Sequence, residues 1–130
     1  MNVEEAYSQI ANAIVEFCSG SRWDIAGSKT SIFSQMTQSN YWRQHGNEVI
    51  ENDKFPSFSI GGEASRAALF LRNDLLKTTG QRIWGLTFTL FPDGKFRIEY
   101  NYDKPEGYEE TDETLDVDLS SDIPGQSSVQ

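Results

Sequence analysis

Between Val3 and Cys18 the apolar residues Val3, Ala6, Tyr7, Ile10, Ala13, Ile14 and Phe17 recur at three- and four-residue steps, with Glu4, Glu5, Gln9, Asn12 and Glu16 between them. That period is the mark of an amphipathic helix with one buried stripe. Asn2 is placed to cap it, the early glutamates suit the positive end of its dipole, and Gly20 can end it in a left-handed conformation. A second helical spacing, Ala64, Ala67, Ala68, Leu71 and Leu75, predicts a helix over 63–79 that stops before Gly80.

The pattern then changes to a period of two. Trp84, Leu86, Phe88 and Leu90 alternate with smaller or polar residues, Pro92-Asp93-Gly94 interrupts, and Phe96, Ile98, Tyr100 and Tyr102 resume the alternation. This is a β-hairpin, in which Pro presets the turn dihedral, Asp bonds back to the turn backbone and Gly accepts a positive φ. The register puts both apolar rows on one face, where burial is worth about 1.5–3 kcal/mol for each side chain. Ordering the backbone costs about 1–2 kcal/mol per residue, so the hairpin needs the helices as cover. The expected fold is therefore α+β, with helices packed on one face of a mainly antiparallel sheet.

The stretch between the first helix and the second is harder to read. Short strands are expected near 22–27 and 30–37, a turn or long loop over 39–54, and a further short strand at Phe58 and Ile60. Trp42, between Tyr41 and Arg43, is expected in the core, with a partner-anchoring role as the alternative. Leu115, Val117 and Leu119 alternate with Asp116 and Asp118 as a short edge strand would.

Length and charge narrow the function classes. The chain has 130 residues, 37% of them hydrophobic, enough for one core and not two. A single domain over 1–119 and a flexible tail over 120–130 are expected. With no apolar run long enough for a membrane helix and no signal-like N-terminus, a cytoplasmic protein with no membrane contact is expected. The net charge of −9 argues against direct binding of nucleic acid. Eight of those charges lie in one segment, on Glu106, Glu109, Glu110, Asp112, Glu113, Asp116, Asp118 and Asp122, with no Lys or Arg among them. A near-neutral body carries a concentrated acidic end.

Catalytic constellations are thin. The single cysteine, Cys18, and the single histidine, His45, supply neither a disulfide nor a zinc site. Cys18 falls on the apolar side of the first helix, where a thiol acts as a small hydrophobe, and His45 reads as a solvated side chain. The carboxylates of the acidic end lack apolar neighbours that would separate their pKa values for acid/base work. Asp112, Thr114, Asp116 and Asp118 alternate, but without the central Gly and final Glu of a calcium loop. No catalytic, cofactor or metal residue is assigned, and the protein is not expected to be an enzyme.

The run Trp84-Gly-Leu-Thr-Phe-Thr-Leu-Phe-Pro-Asp-Gly-Lys-Phe-Arg-Ile-Glu-Tyr-Asn-Tyr-Asp103, continued through Lys104-Pro-Glu-Gly-Tyr-Glu-Glu-Thr-Asp-Glu113, resembles the YezG-type family of bacterial antitoxin and immunity proteins. The N-terminal helix, Trp23 and the helix before the hairpin are similar as well. The resemblance covers 81–113 best, 1–27 and 63–80 less, and is absent over 29–60 and after Thr114. It implies an α+β cytoplasmic protein that binds and blocks a cognate toxin domain, often a nuclease, from a polymorphic toxin or contact-dependent inhibition system. A basic toxin cleft built for phosphates would attract the acidic segment, so Tyr108, Glu109, Glu110, Asp112 and Glu113 are the candidate partner-binding residues. The alternatives are an acidic interaction module, such as a secretion adaptor or chaperone, and a hydrolase using tail carboxylates with a hard cation.

Overall fold

The computed structural model describes residues 1–108. The first helix, α1, spans Val3–Cys18 and is held at its start by a capping box: Asn2 accepts from the Glu5 N–H, and the Glu5 carboxylate accepts from the Asn2 N–H. Its stripe of Ala6, Ile10, Ala13, Ile14, Phe17 and Cys18 is buried. Three strands follow, β1 (Ile25–Ile32), β2 (Thr37–His45) and β3 (Glu48–Glu51), then α2 (Phe58–Thr79) and the hairpin β4 (Gly85–Leu90) and β5 (Phe96–Asn101).

All neighbouring strands pair antiparallel, in the order β3-β2-β1-β4-β5. Both helices cover one face of this sheet and pack against each other. The fold is α+β, as the sequence predicts. The registers put Ala26, Ser28, Thr30 and Ile32 of β1 on the covered face beside Leu86, Phe88 and Leu90 of β4. Gly27, Lys29, Trp42, Thr87, Arg97 and Glu99 lie on the other face, which no described element covers.

The hairpin turn is built as its sequence requires. Gly94 has φ +91°, the Asp93 carboxylate accepts from the Lys95 N–H at 3.0 Å, and the Phe91 N–H donates to the Lys95 carbonyl at 2.9 Å. Burial of its apolar rows is uneven. Leu86 and Phe88 are buried, whereas Phe96, on β5 at the edge of the sheet formed by the described residues, is 46% exposed, and Tyr102, just beyond β5, is 49% exposed.

The region from Arg22 to Ile60 departs from expectation. Instead of two short strands near 22–27 and 30–37, one continuous strand, β1, runs over 25–32, and the expected loop over 39–54 is largely the β2–β3 hairpin. Gly46, with φ +60°, turns it. Phe58 and Ile60 form no strand; they open α2, which starts five residues earlier than the apolar spacing indicates and carries Gly61 and Gly62 inside it. The Ser57 side chain caps this start by accepting from the Ile60 N–H, and the Ser57 N–H donates to Glu16 of α1. The cap and its tie to α1 offset the poor helix propensity of the glycines. The possible strand at Leu115–Leu119, the domain end at 119 and the tail over 120–130 lie outside the described residues.

Candidate partner-binding surface

Of the five candidate contact residues, Tyr108 is the one within the described residues; Glu109, Glu110, Asp112 and Glu113 lie outside them. Tyr108 closes a turn in which Gly107 has φ +77° and the Tyr108 N–H donates to the Pro105 carbonyl at 3.3 Å. Its ring stands edge-on to Trp84 at 5.4 Å and lies 5.5 Å from Phe33. The Arg82 guanidinium covers the other ring system of this cluster, 3.6 Å from the Trp84 ring, and the Lys104 ammonium lies 5.9 Å from both Trp84 and Tyr108. Aromatic pairs and cation–π contacts of this kind are each worth about 0.5–1.5 kcal/mol. The aromatic ring of Tyr108 is thus engaged in fastening the chain after β5 to the end of the sheet.

At the opposite end of the sheet, the C-terminus of α1 meets β2. Arg43, on the covered face, is buried under the Phe17 ring at 5.0 Å and forks onto Asp53 with bonds of 3.0 and 2.8 Å. That guanidinium holds the Asp53 carboxyl below the usual carboxylate range. Beside it a shallow polar depression is lined by Ser21, Arg22, Arg43, His45, Glu48 and Ile50. His45 lies at the end of a strand and not in a loop, with Nδ1 3.4 Å from Asp24. The Gly46 N–H donates to Asp24 at 2.7 Å and keeps that carboxyl low. Cys18 is buried in the core and burial pushes its thiol up, the opposite of what an activated nucleophile requires. Among the described residues no three His, Cys, Asp or Glu side chains gather as metal ligands would.

Trp42 is the clearest departure at the level of single residues. It is half-buried on the open face and not in the core, with its indole laid across Gly27, the residue opposite it in β1. A Cβ at Gly27 would come within 2.7 Å of the indole and 2.5 Å of the Phe88 carbonyl oxygen. A glycine inside a strand is a sign of such a close approach. That sign is present in the sequence at Gly27, although nothing there says which side chain makes the approach.

A second unpredicted feature is an apolar groove between α1 and the hairpin, lined by Tyr7, Ala11, Phe88, Leu90 and Phe96 with Glu4 and Ser8 at its rim. Phe96 forms its lip, stacked on Phe88 at 5.0 Å and tilted against Tyr7 at 5.5 Å. The Tyr7 and Tyr100 hydroxyls meet at 3.4 Å, and burial followed by this bond pushes the Tyr100 phenol up. Among the described residues no helix is long and apolar enough to cross a membrane. No protein-family model matches the chain, and no curated protein matches it.

Proposed function

We infer that the protein is an immunity protein, binding a cognate toxin domain with a basic cleft and neutralising it in the cytoplasm. The observation that supports this best is the anchoring of Tyr108 on Phe33 and Trp84. It fixes the point at which the body hands over to the acidic sequence of Glu109, Glu110, Asp112, Glu113, Asp116, Asp118 and Asp122. A concentrated charge tethered at a fixed point of a near-neutral body steers a basic partner into one orientation, which a uniformly spread charge does not. The likeness of 84–113 to YezG-type immunity proteins supports the same reading.

Co-expression with a toxin domain, sought first in any reading frame adjacent to this chain's own, tests it. Cells should survive the toxin when this chain is present and die without it; equal death in both cases overturns the reading. The role of the acids is separable in purified proteins. Changing Glu109, Glu110, Asp112 and Glu113 together to Gln or Asn should slow association with the toxin and flatten its salt dependence, since charge complementarity raises association from about 10⁵–10⁶ toward 10⁸–10⁹ M⁻¹s⁻¹ at low salt. The melting temperature should stay unchanged. An unaltered rate and salt slope by stopped flow would place the toxin contact elsewhere on the body.

A further inference from the structure

Among the described residues the sheet has two edges, β3 and β5, and they are built differently. β3 is four residues long, with Glu48 and Glu51 at its ends, which are the usual protections against pairing with another chain. β5 has six residues and leaves Phe96 at the surface on its covered side. In the hairpin the Lys95 carbonyl accepts from Phe91 and the Asn101 carbonyl accepts from Trp84, so the odd-numbered residues of β5 turn their backbone groups toward β4. By the alternation of antiparallel ladders, Phe96, Ile98 and Tyr100 point their N–H and C=O groups outward from the edge.

That parity restricts how β5 could pair with itself. A twofold axis at Ile98 sets Ile98 against Ile98 of the second copy and Phe96 against the second copy's Tyr100, each pair exchanging its outward backbone bonds. On the open face it sets Arg97 against Glu99 of the second copy, and Glu99 against that copy's Arg97. The two neighbouring registers allowed by parity fail on charge, since one sets Arg97 against Arg97 and the other Glu99 against Glu99. Like charges directly opposite are unfavourable, and opposite charges and aromatic pairs are favourable. Of these three registers, the one centred at Ile98 makes the strand Phe-Arg-Ile-Glu-Tyr self-complementary on both of its faces.

We propose that β5 is a homodimer interface, pairing antiparallel with β5 of a second copy about an axis at Ile98, so that the two sheets become continuous. The second copy's Tyr100 then covers the exposed Phe96 at the lip of the groove, and the open edge disappears. This goes beyond the toxin-binding reading and does not depend on it, because its test contains no toxin.

Sedimentation of the full chain across a range of concentrations reads the interface directly. Wild type should form dimers. Arg97→Glu and Glu99→Arg, tested singly, should each weaken self-association about tenfold, because each replaces both attractive cross-strand pairs by repulsive ones. Mixed in equal amounts, these two variants should recover a heterodimer, in which every 97–99 pair is again opposite in sign; the double variant should recover the homodimer. Both side chains are exposed, and circular dichroism confirms that the variants are folded. A wild-type chain that remains monomeric at every concentration overturns the proposal and leaves the edge to a strand of different origin. A dimer whose strength ignores both single changes, or that the mixture fails to restore, overturns it equally.

Discussion

The two faces of the sheet solve different problems with different residue types. On the covered face the rows of β1 and β4 are filled by Ala26, Leu86, Phe88 and Leu90, sealed by Ile10, Ile14 and Phe17 from α1 and by Ala64, Ala67, Ala68 and Leu71 from α2. The small alanines of α2 let that helix approach closely, and the larger residues of α1 and β4 fill the space. On the open face the indole of Trp42 lies over Gly27, and the rest of the face carries polar residues such as Lys29, Thr87, Arg97 and Glu99. Stability on the first face comes from volume filled; on the second, the closest packing is the approach of the Trp42 indole to Gly27. The faces should therefore respond to substitution by different mechanisms and on different scales.

The largest effect is expected on the covered face. Phe88 is fully buried and stacked on Phe96, so Phe88→Ala should cost about 3–5 kcal/mol, the usual loss on emptying a core aromatic site. Thermal or denaturant unfolding measures it. A melting point near that of wild type would mean that the register of the hairpin is shifted by one residue.

Next comes the tightest spot of the open face, Gly27. Gly27→Ala pushes a methyl group against the Phe88 carbonyl, which cannot move without breaking the β1–β4 ladder, and against the Trp42 indole, which can. Overpacking of this kind costs about 1–3 kcal/mol. Displacement of the indole would show as a change in tryptophan fluorescence with the loss of stability. A neutral Gly27→Ala with unchanged fluorescence would mean that Trp42 does not rest on β1.

How legible this was in the sequence depended on which face carried the signal. The helix stripe of α1 and the rows of β4 and β5 are apolar on the covered face and polar or small on the other, so their periods are plain. β2 hides because neither of its faces carries an apolar row: Tyr41 and Trp42 stand alone among polar residues on opposite faces. Its covered-face positions are Thr37, Ser39, Tyr41 and Arg43, and the bonds that bury them are hydroxyl to hydroxyl, Thr37 to Ser65 at 2.7 Å and Thr30 to Ser39 at 2.7 Å. Arg43 contributes its stem under Phe17 and its charge to Asp53. Such positions read as loop in a sequence, since the complementary partners lie far along the chain. The same logic explains the misplaced start of α2, where a serine cap and a bond to Glu16 outweigh Gly61 and Gly62. Among the contact candidates, the aromatic anchor Tyr108 was identifiable by type, but its packing against Phe33 required the fold.

Acid provides a smaller test, confined to the rim of the covered face. The Arg43 guanidinium lowers the Asp53 carboxyl below its unfolded value, so the stability it contributes is fully present above the unfolded carboxylate pKa of about 3.9 and is lost as pH falls through the folded value. Asp53→Asn should lower the melting temperature at neutral pH and reduce the further decline on acidification. A variant whose melting curve tracks wild type at both pH values would show that the Arg43–Asp53 fork adds nothing to stability.

The smallest folding effects belong to open-face positions away from the Trp42–Gly27 contact, and there they separate folding from association. Thr87 lies in β4 with its side chain turned away from the helices, and Arg97 is exposed on the edge strand. Neither fills a cavity, caps an element or holds a buried partner, and changes at such positions stay within about 0.5 kcal/mol. Thr87→Ala and Arg97→Ala should both leave the unfolding free energy of the monomer near wild type. Their self-association should differ. Thr87 is one strand in from the edge and has no cross-copy neighbour in the Ile98-centred register, whereas Arg97→Ala deletes the attraction to Glu99 of the second copy twice over, once on each side of the axis. Measured at a protein concentration where wild type is partly dimeric, Arg97→Ala should shift the population toward monomer and Thr87→Ala should not. If both variants lose stability as well, the open face is packed against something in solution and its polar residues are contacts; if neither changes the dimer population, charge does not set the pairing of β5.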